Sequence, residues 1–328
     1  MQRRAALRVA HPAPPSHAWD LLFTAALAAF TLALALFGFV LAGVIVDDSS
    51  SGPRAESTSS PQGATAGGAH DAGPAPMTRG ADDARLQAAI LDELGADVGR
   101  FGVVARRLDD GLGAGVNPDR VFYAASTFKL ALLYEAELRR SQGLLDFNAP
   151  LPLDESDLSE DLGTFENLPF AEEGTLTIGA ALEAMITLSD NASAVALLRL
   201  LGPEAIDATL ATLGLKHTSV NTRELPTTAS DMALLMEAIV RGEGVDPEAR
   251  GHMRSLLLAQ HSRDGIPAGL PGSARVGNKT GTWEQATHDV AFVETTSGTY
   301  VVAVLSDSDR DWSRIARVSG AVYAVLAQ

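Results

Sequence analysis

The chain has no cysteine, which excludes disulfides and thiolate metal sites. Lysine is nearly absent too. Lys and Arg together number 25, and only Lys129, Lys216 and Lys279 are lysines. Acids number 41, for a net charge of −16. That balance argues against a nucleic-acid partner, since phosphate contacts need clustered Lys and Arg. The seven histidines form neither His-x-x-x-His nor His-Glu-x-x-His, so no metal site and no cofactor are expected. A Ser-His-Asp triad has candidates in His217, His252, His261 and His288, but Gly-x-Ser-x-Gly, the lipase-type nucleophile elbow, is missing. What is present is globular: 46% hydrophobic and 20% charged residues over 328 positions, enough for one large or two small domains.

Charge is also missing from one long run. Residues 21–46, LLFTAALAAFTLALALFGFVLAGVIV, carry none, which exceeds the ~20 residues that cross a bilayer. Arg3, Arg4 and Arg8 precede the run and Asp47 and Asp48 follow it. The positive-inside rule therefore makes 1–20 a cytoplasmic tail and 21–46 a single transmembrane anchor. A cleaved signal peptide is the alternative. Residues 47–80 are rich in Ser, Gly, Ala and Pro and read as a disordered linker. The expected folded body is 81–328, extracytoplasmic and monomeric. The acidic excess lies wholly within it, because residues 1–80 hold five acids and five arginines.

Within the body, DDARLQAAILDELGADVG has helical spacing and ends in Gly. RFGVVARRLDDGLGAGVNPDRVFYAAS reads as short strands around turns, and the period turns helical from Thr127 to Leu145. Residues 146–175 read as an acidic, irregular surface stretch. Five amphipathic helices follow, then the strands ARVGNKTGTW, HDVAFVET and TYVVAVLSDS, then a closing helix. Strands at both ends with helices between predict an α+β fold: one antiparallel sheet flanked by helices, with an all-helical subdomain inserted.

One scarce lysine poses a question. In FYAASTFKLALL, Ser126 and Lys129 stand three apart at the start of a helix, a spacing that puts both on one face. A serine is a poor nucleophile until something takes its proton. A desolvated lysine can do so, whereas an arginine stays protonated. A helix-capping serine with an unrelated lysine is the bland alternative. The second scarce lysine, however, sits in GNKTGTW as Lys279-Thr280-Gly281, and LSDNAS supplies Ser189-Asp190-Asn191 at a break between helices. Lys216 ends a helix and reads as a C-terminal charge.

Ser126-x-x-Lys129, Ser189-Asp190-Asn191 and Lys279-Thr280-Gly281, in that order, resemble the penicillin-recognising serine enzymes, and most of all the class A β-lactamases. The resemblance implies a β-lactamase/transpeptidase-like fold and a β-lactam ring opened through an acyl-enzyme on Ser126. Lys129 would help to remove the Ser126 proton and Ser189 would relay it to the departing nitrogen. Asn191 would bind the substrate amide, and Lys279 and Thr280 its carboxylate. The backbone N–H groups of Ser126 and Thr282 would form the oxyanion hole. Gly281 would spare the substrate a side chain.

One departure matters. Class A enzymes carry a Glu-x-x-Leu-Asn loop whose glutamate activates the deacylating water. Here HTSVNTRELPTTASDMALL runs directly to Thr227-Thr228, with Glu224 as the short loop's lone carboxylate. Neither Glu224 nor Glu166 takes that role in this reading, so slow deacylation is expected. The alternatives are a peptidoglycan D,D-carboxypeptidase-like enzyme and a non-catalytic penicillin-binding sensor on the same scaffold. The expected partner is a small molecule, a β-lactam or a peptidoglycan peptide.

Overall fold

A computed structural model describes residues 80–159, 164 and 176–328. The expected anchor at 21–46 and the linker up to residue 79 lie outside the described residues. Among the described residues, no helix is long and apolar enough to cross a membrane.

The body opens with α1, Ala81–Leu94, followed by strands β1, Phe101–Arg107, and β2, Gly113–Val116. A two-residue strand β3, Phe122–Tyr123, leads through a tight 3-10 turn into α2, Lys129–Ser141. Short strands β4, Pro150–Leu151, and β5, Leu176–Thr177, pair with each other. The helical layer continues with α3 (Ile178–Thr187), α4 (Asn191–Leu201) and α5 (Pro203–Thr212). After β6, Pro226–Thr227, come α6 (Ala229–Arg241) and α7 (Pro247–Leu258). Strands β7 (Arg275–Trp283), β8 (Ala286–Thr295) and β9 (Gly298–Ser306) precede the last helix, α8, Trp312–Leu326.

The main sheet is fully antiparallel in the order β2-β1-β9-β8-β7, as expected of strands from both ends of the body. Its alternating residues feed two cores. Tyr300, Val302 and Val304 of β9 pack toward Leu86, Ile90, Ile315 and Val318 of α1 and α8. Val301, Ala303 and Leu305 pack toward the helical layer of α2 to α7. Burial on both faces explains why TYVVAVLS is apolar almost throughout. The free edge of β2 is blunted by α1: Gly113 N donates to Asp83 Oδ1 (2.9 Å) and Gln87 Nε2 to Gly115 O (3.2 Å). The other edge, β7, lies against the turn that carries Ser126.

The acidic stretch after residue 146 is not simply solvated surface. Asp157 is fully buried and is held by Arg199 of α4 through contacts of 2.5 and 2.8 Å. Residues 160–163 and 165–175, including Glu166, lie outside the described residues.

Candidate active site

Ser126 sits half-buried in the 3-10 turn Ala125–Phe128, between β3 and α2. The turn is tight enough to hold Ala125 at φ +45°, a left-handed conformation that costs a non-glycine residue of order 1–3 kcal/mol. Its surroundings impose it. Ala124 N donates to Leu225 O (2.8 Å) and Thr127 Oγ1 to Ala124 O (2.6 Å). On the other side, the buried His288 of β8 donates from Nε2 to Tyr123 O (2.8 Å), while its Nδ1 accepts from Ser306 N (3.0 Å). Those partners assign the proton to Nε2. Burial holds the ring's pKa down at about 4, so the imidazole stays neutral and serves as a strut.

One turn later, Lys129 is buried completely. Its Nζ donates to Ser189 O (2.6 Å) and Asn191 Oδ1 (2.7 Å), and more distantly to Ser189 Oγ (3.3 Å). These acceptors are neutral. Burial therefore brings the amine down to about 7, against the upward pull of Asp190. A lysine poised there can take up and release a proton near neutral pH.

The break between α3 and α4 supplies those acceptors. Ser189 stands at φ +63°, and Asp190 caps α4 by accepting from Ser193 N (2.6 Å). Thr164 Oγ1 donates to the other Asp190 oxygen (2.5 Å). With Asp190 taking the cap, Asn191 is left to face Lys129.

Lys279 of β7 reaches the same hydroxyl from the opposite side. Its Nζ donates to Ser189 Oγ (3.0 Å) and Thr280 O (2.8 Å). Complete burial drives its pKa well below the ordinary lysine value; repulsion from Lys129 adds to this and Asp289 opposes it. Ser189 Oγ thus lies between two amines that both favour the neutral form. Behind Lys279, the fully buried Asp289 accepts from Asn278 Nδ2 (2.9 Å) and Ile266 N (2.7 Å). Burial raises its carboxyl to about 7, while those two donors and the charges of Lys279 and Arg263 resist.

Ser126, Ser189, Asn191, Thr280 and Thr282 line one cavity of about 900 Å³, with the two amines beneath them. All eight residues singled out in the sequence are gathered around it. Gly281 is there for a different reason from the one expected. A Cβ at that position would lie 3.0 Å from Ala124 O and Thr127 Cγ2. It faces the Ser126 turn, so the glycine lets β7 approach that turn closely. Lys216 lies elsewhere, exposed, with its N–H on Asp231.

The rest of the wall is Thr164, Thr187, Leu188, Gln260, His261 and Ser262, of which only His261 was singled out in the sequence, as a triad candidate. Gln260 Nε2 donates to Ile186 O (2.7 Å), and His261 N to Thr187 O (3.0 Å). These side chains share no motif. Among the described residues no carboxylate lines the cavity, and Glu224 is exposed.

The beta-lactamase enzyme family matches residues 84–326. The chain belongs to that family. Beta-lactamase FAR-1 of Nocardia farcinica (strain IFM 10152) is 30% identical over 238 residues, covering 66% of this chain and 72% of that protein. Among solved structures, an ancestral class A β-lactamase superposes with a TM-score of 0.66 at 28% identity, covering 73% of this chain and 99% of that one. The structure of PBP-A gives a TM-score of 0.67 at 25% identity, covering 73% and 94%. A single-residue mutant of PBP-A, solved as its acyl-enzyme complex with penicillin G, gives 0.67 at 25%, covering 74% and 96%. The fold expected from the motifs is therefore the fold found, and the family is a hydrolase family acting on β-lactams.

Proposed function

We propose that this family member opens β-lactam rings by forming an ester on Ser126 and releases that ester slowly. In the acylation step Ser126 Oγ bonds to the lactam carbonyl carbon and the ring C–N bond breaks. The hydroxyl proton passes to neutral Lys129, which returns a proton to Ser189 as Ser189 gives its own to the departing nitrogen. Lys279 and Thr280 take the substrate carboxylate, Asn191 its amide, and the N–H groups of Ser126 and Thr282 the oxyanion. Hydrolysis would then add water across the ester, restoring Ser126 and releasing the ring-opened acid. The observation that carries this reading is the buried Lys129 amine, pinned by Ser189 and Asn191, in a cavity whose described walls hold no carboxylate. The first feature serves acylation. The second leaves deacylation without a base among the described residues.

A peptidoglycan D,D-carboxypeptidase-like enzyme is the second reading, one that the same acylation residues would serve. The full-length chain incubated with a fluorescent penicillin and then chased with unlabelled drug tests the proposal. A label on Ser126 that persists for minutes is expected, and Ser126→Ala should take none. Loss within seconds rejects slow release, and an unlabelled wild-type chain rejects the acyl-enzyme. We further propose that residues 21–46 anchor a monomeric catalytic body outside the cytoplasmic membrane, supported by their lack of charge and the flanking Arg and Asp residues. Protease added to intact cells should then remove the body.

A further inference from the structure

A second cavity, of about 560 Å³, lies beyond the end of β7. Among the described residues six large hydrophobic side chains are exposed, and three of them, Val121 (54%), Tyr123 (38%) and Trp283 (52%), line this one cavity. Such a concentration marks a binding surface far more often than scattered exposure does. Its lining continues the chain segments that line the catalytic cavity: Trp283 follows Thr282, and Tyr123 precedes Ser126 by three residues. His288 of β8, which pairs with Gly281 of β7, donates to Tyr123 O and so ties that strand pair to the segment leading to Ser126.

The charges around it are specific. Arg120 and Asp307 pair with each other. Arg223, from the short loop, and Glu284, from the β7–β8 turn, are exposed and make no ion pair among the described residues. The cavity therefore presents an apolar floor with one cationic and one anionic group left over. The complementary ligand is an apolar arm ending in both a carboxylate and an ammonium.

We infer that this cavity is a subsite for the acyl arm of the Ser126 substrate, selecting a short aliphatic arm that ends in an α-amino acid group. The inference rests on the acyl-enzyme reading above, which lays the substrate along β7 with its carboxylate at Thr280. From Thr280 to Trp283 the strand rises about 10 Å, room for such an arm to run over exposed Thr282 to the aromatic floor. Arg223 then meets the carboxylate and Glu284 the ammonium.

The test uses the full-length chain and three cephalosporins that share a nucleus and carry aminoadipyl, adipyl or pentanoyl arms. The quantity read is the second-order rate of adduct formation on Ser126. An exposed charge contact is worth up to about fivefold, so the rates should fall in two steps of roughly that size from aminoadipyl to adipyl to pentanoyl. Glu284→Gln should close the first gap and Arg223→Ala the second. Trp283→Ala should slow the aminoadipyl compound about tenfold through lost apolar burial. Equal rates for all three arms in the wild type, or gaps that survive both charge variants, overturn the subsite and leave the acyl-enzyme standing. No adduct with any of the three overturns the acyl-enzyme reading itself.

Discussion

The floor of the Ser126 cavity and the loop leading into β6 differ in where their polar groups point. On the floor, Lys129, Lys279, Ser189 and Asn191 turn their donors and acceptors toward one another beneath the serine. Around the loop, the carboxylates are occupied in holding backbone. Asp207 accepts from Ser219 Oγ (2.5 Å) and Val220 N (2.8 Å), and Asp231 from His217 N (2.7 Å) and Thr218 Oγ1 (2.8 Å). The loop's contribution to the serine is a carbonyl, Leu225 O on Ala124 N. On the reading proposed above, the first region moves protons and the second keeps a short connection in shape, so that the nucleophile is activated in full while its release is not.

The largest effects should come from breaking the floor. Ser126→Ala should abolish the covalent adduct seen by intact-protein mass spectrometry. Lys129→Ala should keep the serine and lower the acylation rate about 10²–10⁴-fold, the usual worth of a positioned base. A drop below tenfold would mean that some other group takes the proton. Next in size is a pH effect. Lys129 must be neutral to act, and burial has brought its pKa to about 7. Acylation should therefore rise with pH through about 7 and flatten above it, falling about tenfold per unit on the acid side. A flat profile between pH 5 and 8 (roughly, the range that brackets that value) would remove Lys129 from the base role.

Gly281→Ala perturbs the contact between the two regions. Its methyl would meet Ala124 O and Thr127 Cγ2 at 3.0 Å, too close unless β7 or the turn gives way. Overpacking of this kind costs typically 1–3 kcal/mol. The expected result is a lower melting temperature together with roughly tenfold slower acylation, because the strand carrying Thr282 moves relative to Ser126. An unchanged acylation rate would show that the close approach matters to packing alone.

The parts of this site legible in the sequence are those whose chemistry is written in short segments. Ser126-x-x-Lys129 is one helical turn, Ser189-Asp190-Asn191 one interhelical break, and Lys279-Thr280-Gly281 part of one strand. Scarcity of lysine made two of them conspicuous. The sheet was legible through its apolar runs and the location of strands at both ends. What stayed hidden depends on distant chain segments meeting. His288 braces Tyr123 across 165 positions, and the two-residue strands β3 and β6 exist only because Phe122 meets Thr227. Asp157, in a stretch that reads as solvated, is buried because Arg199, 42 positions later, reaches it. For Gly281 the sequence suggests crowding of the substrate, whereas the close neighbours of a Cβ there, Ala124 O and Thr127 Cγ2, come from a turn that only the fold brings to β7.

The last substitution, at Glu224, should change least. Glu224 is the carboxylate within the short loop, and a family comparison would nominate it first as the base for deacylation. It is exposed, and it lines neither the Ser126 cavity nor the one beside it. Glu224→Gln removes its charge and basicity while keeping its shape. If the loop does no more than connect, the half-life of the penicillin adduct should change by less than about twofold, the size of a screened surface-charge effect. A half-life lengthened tenfold or more would mean that the loop moves during the reaction and brings Glu224 to the ester. The two regions would then be working parts of one site, and the division between activation and release drawn above would fall.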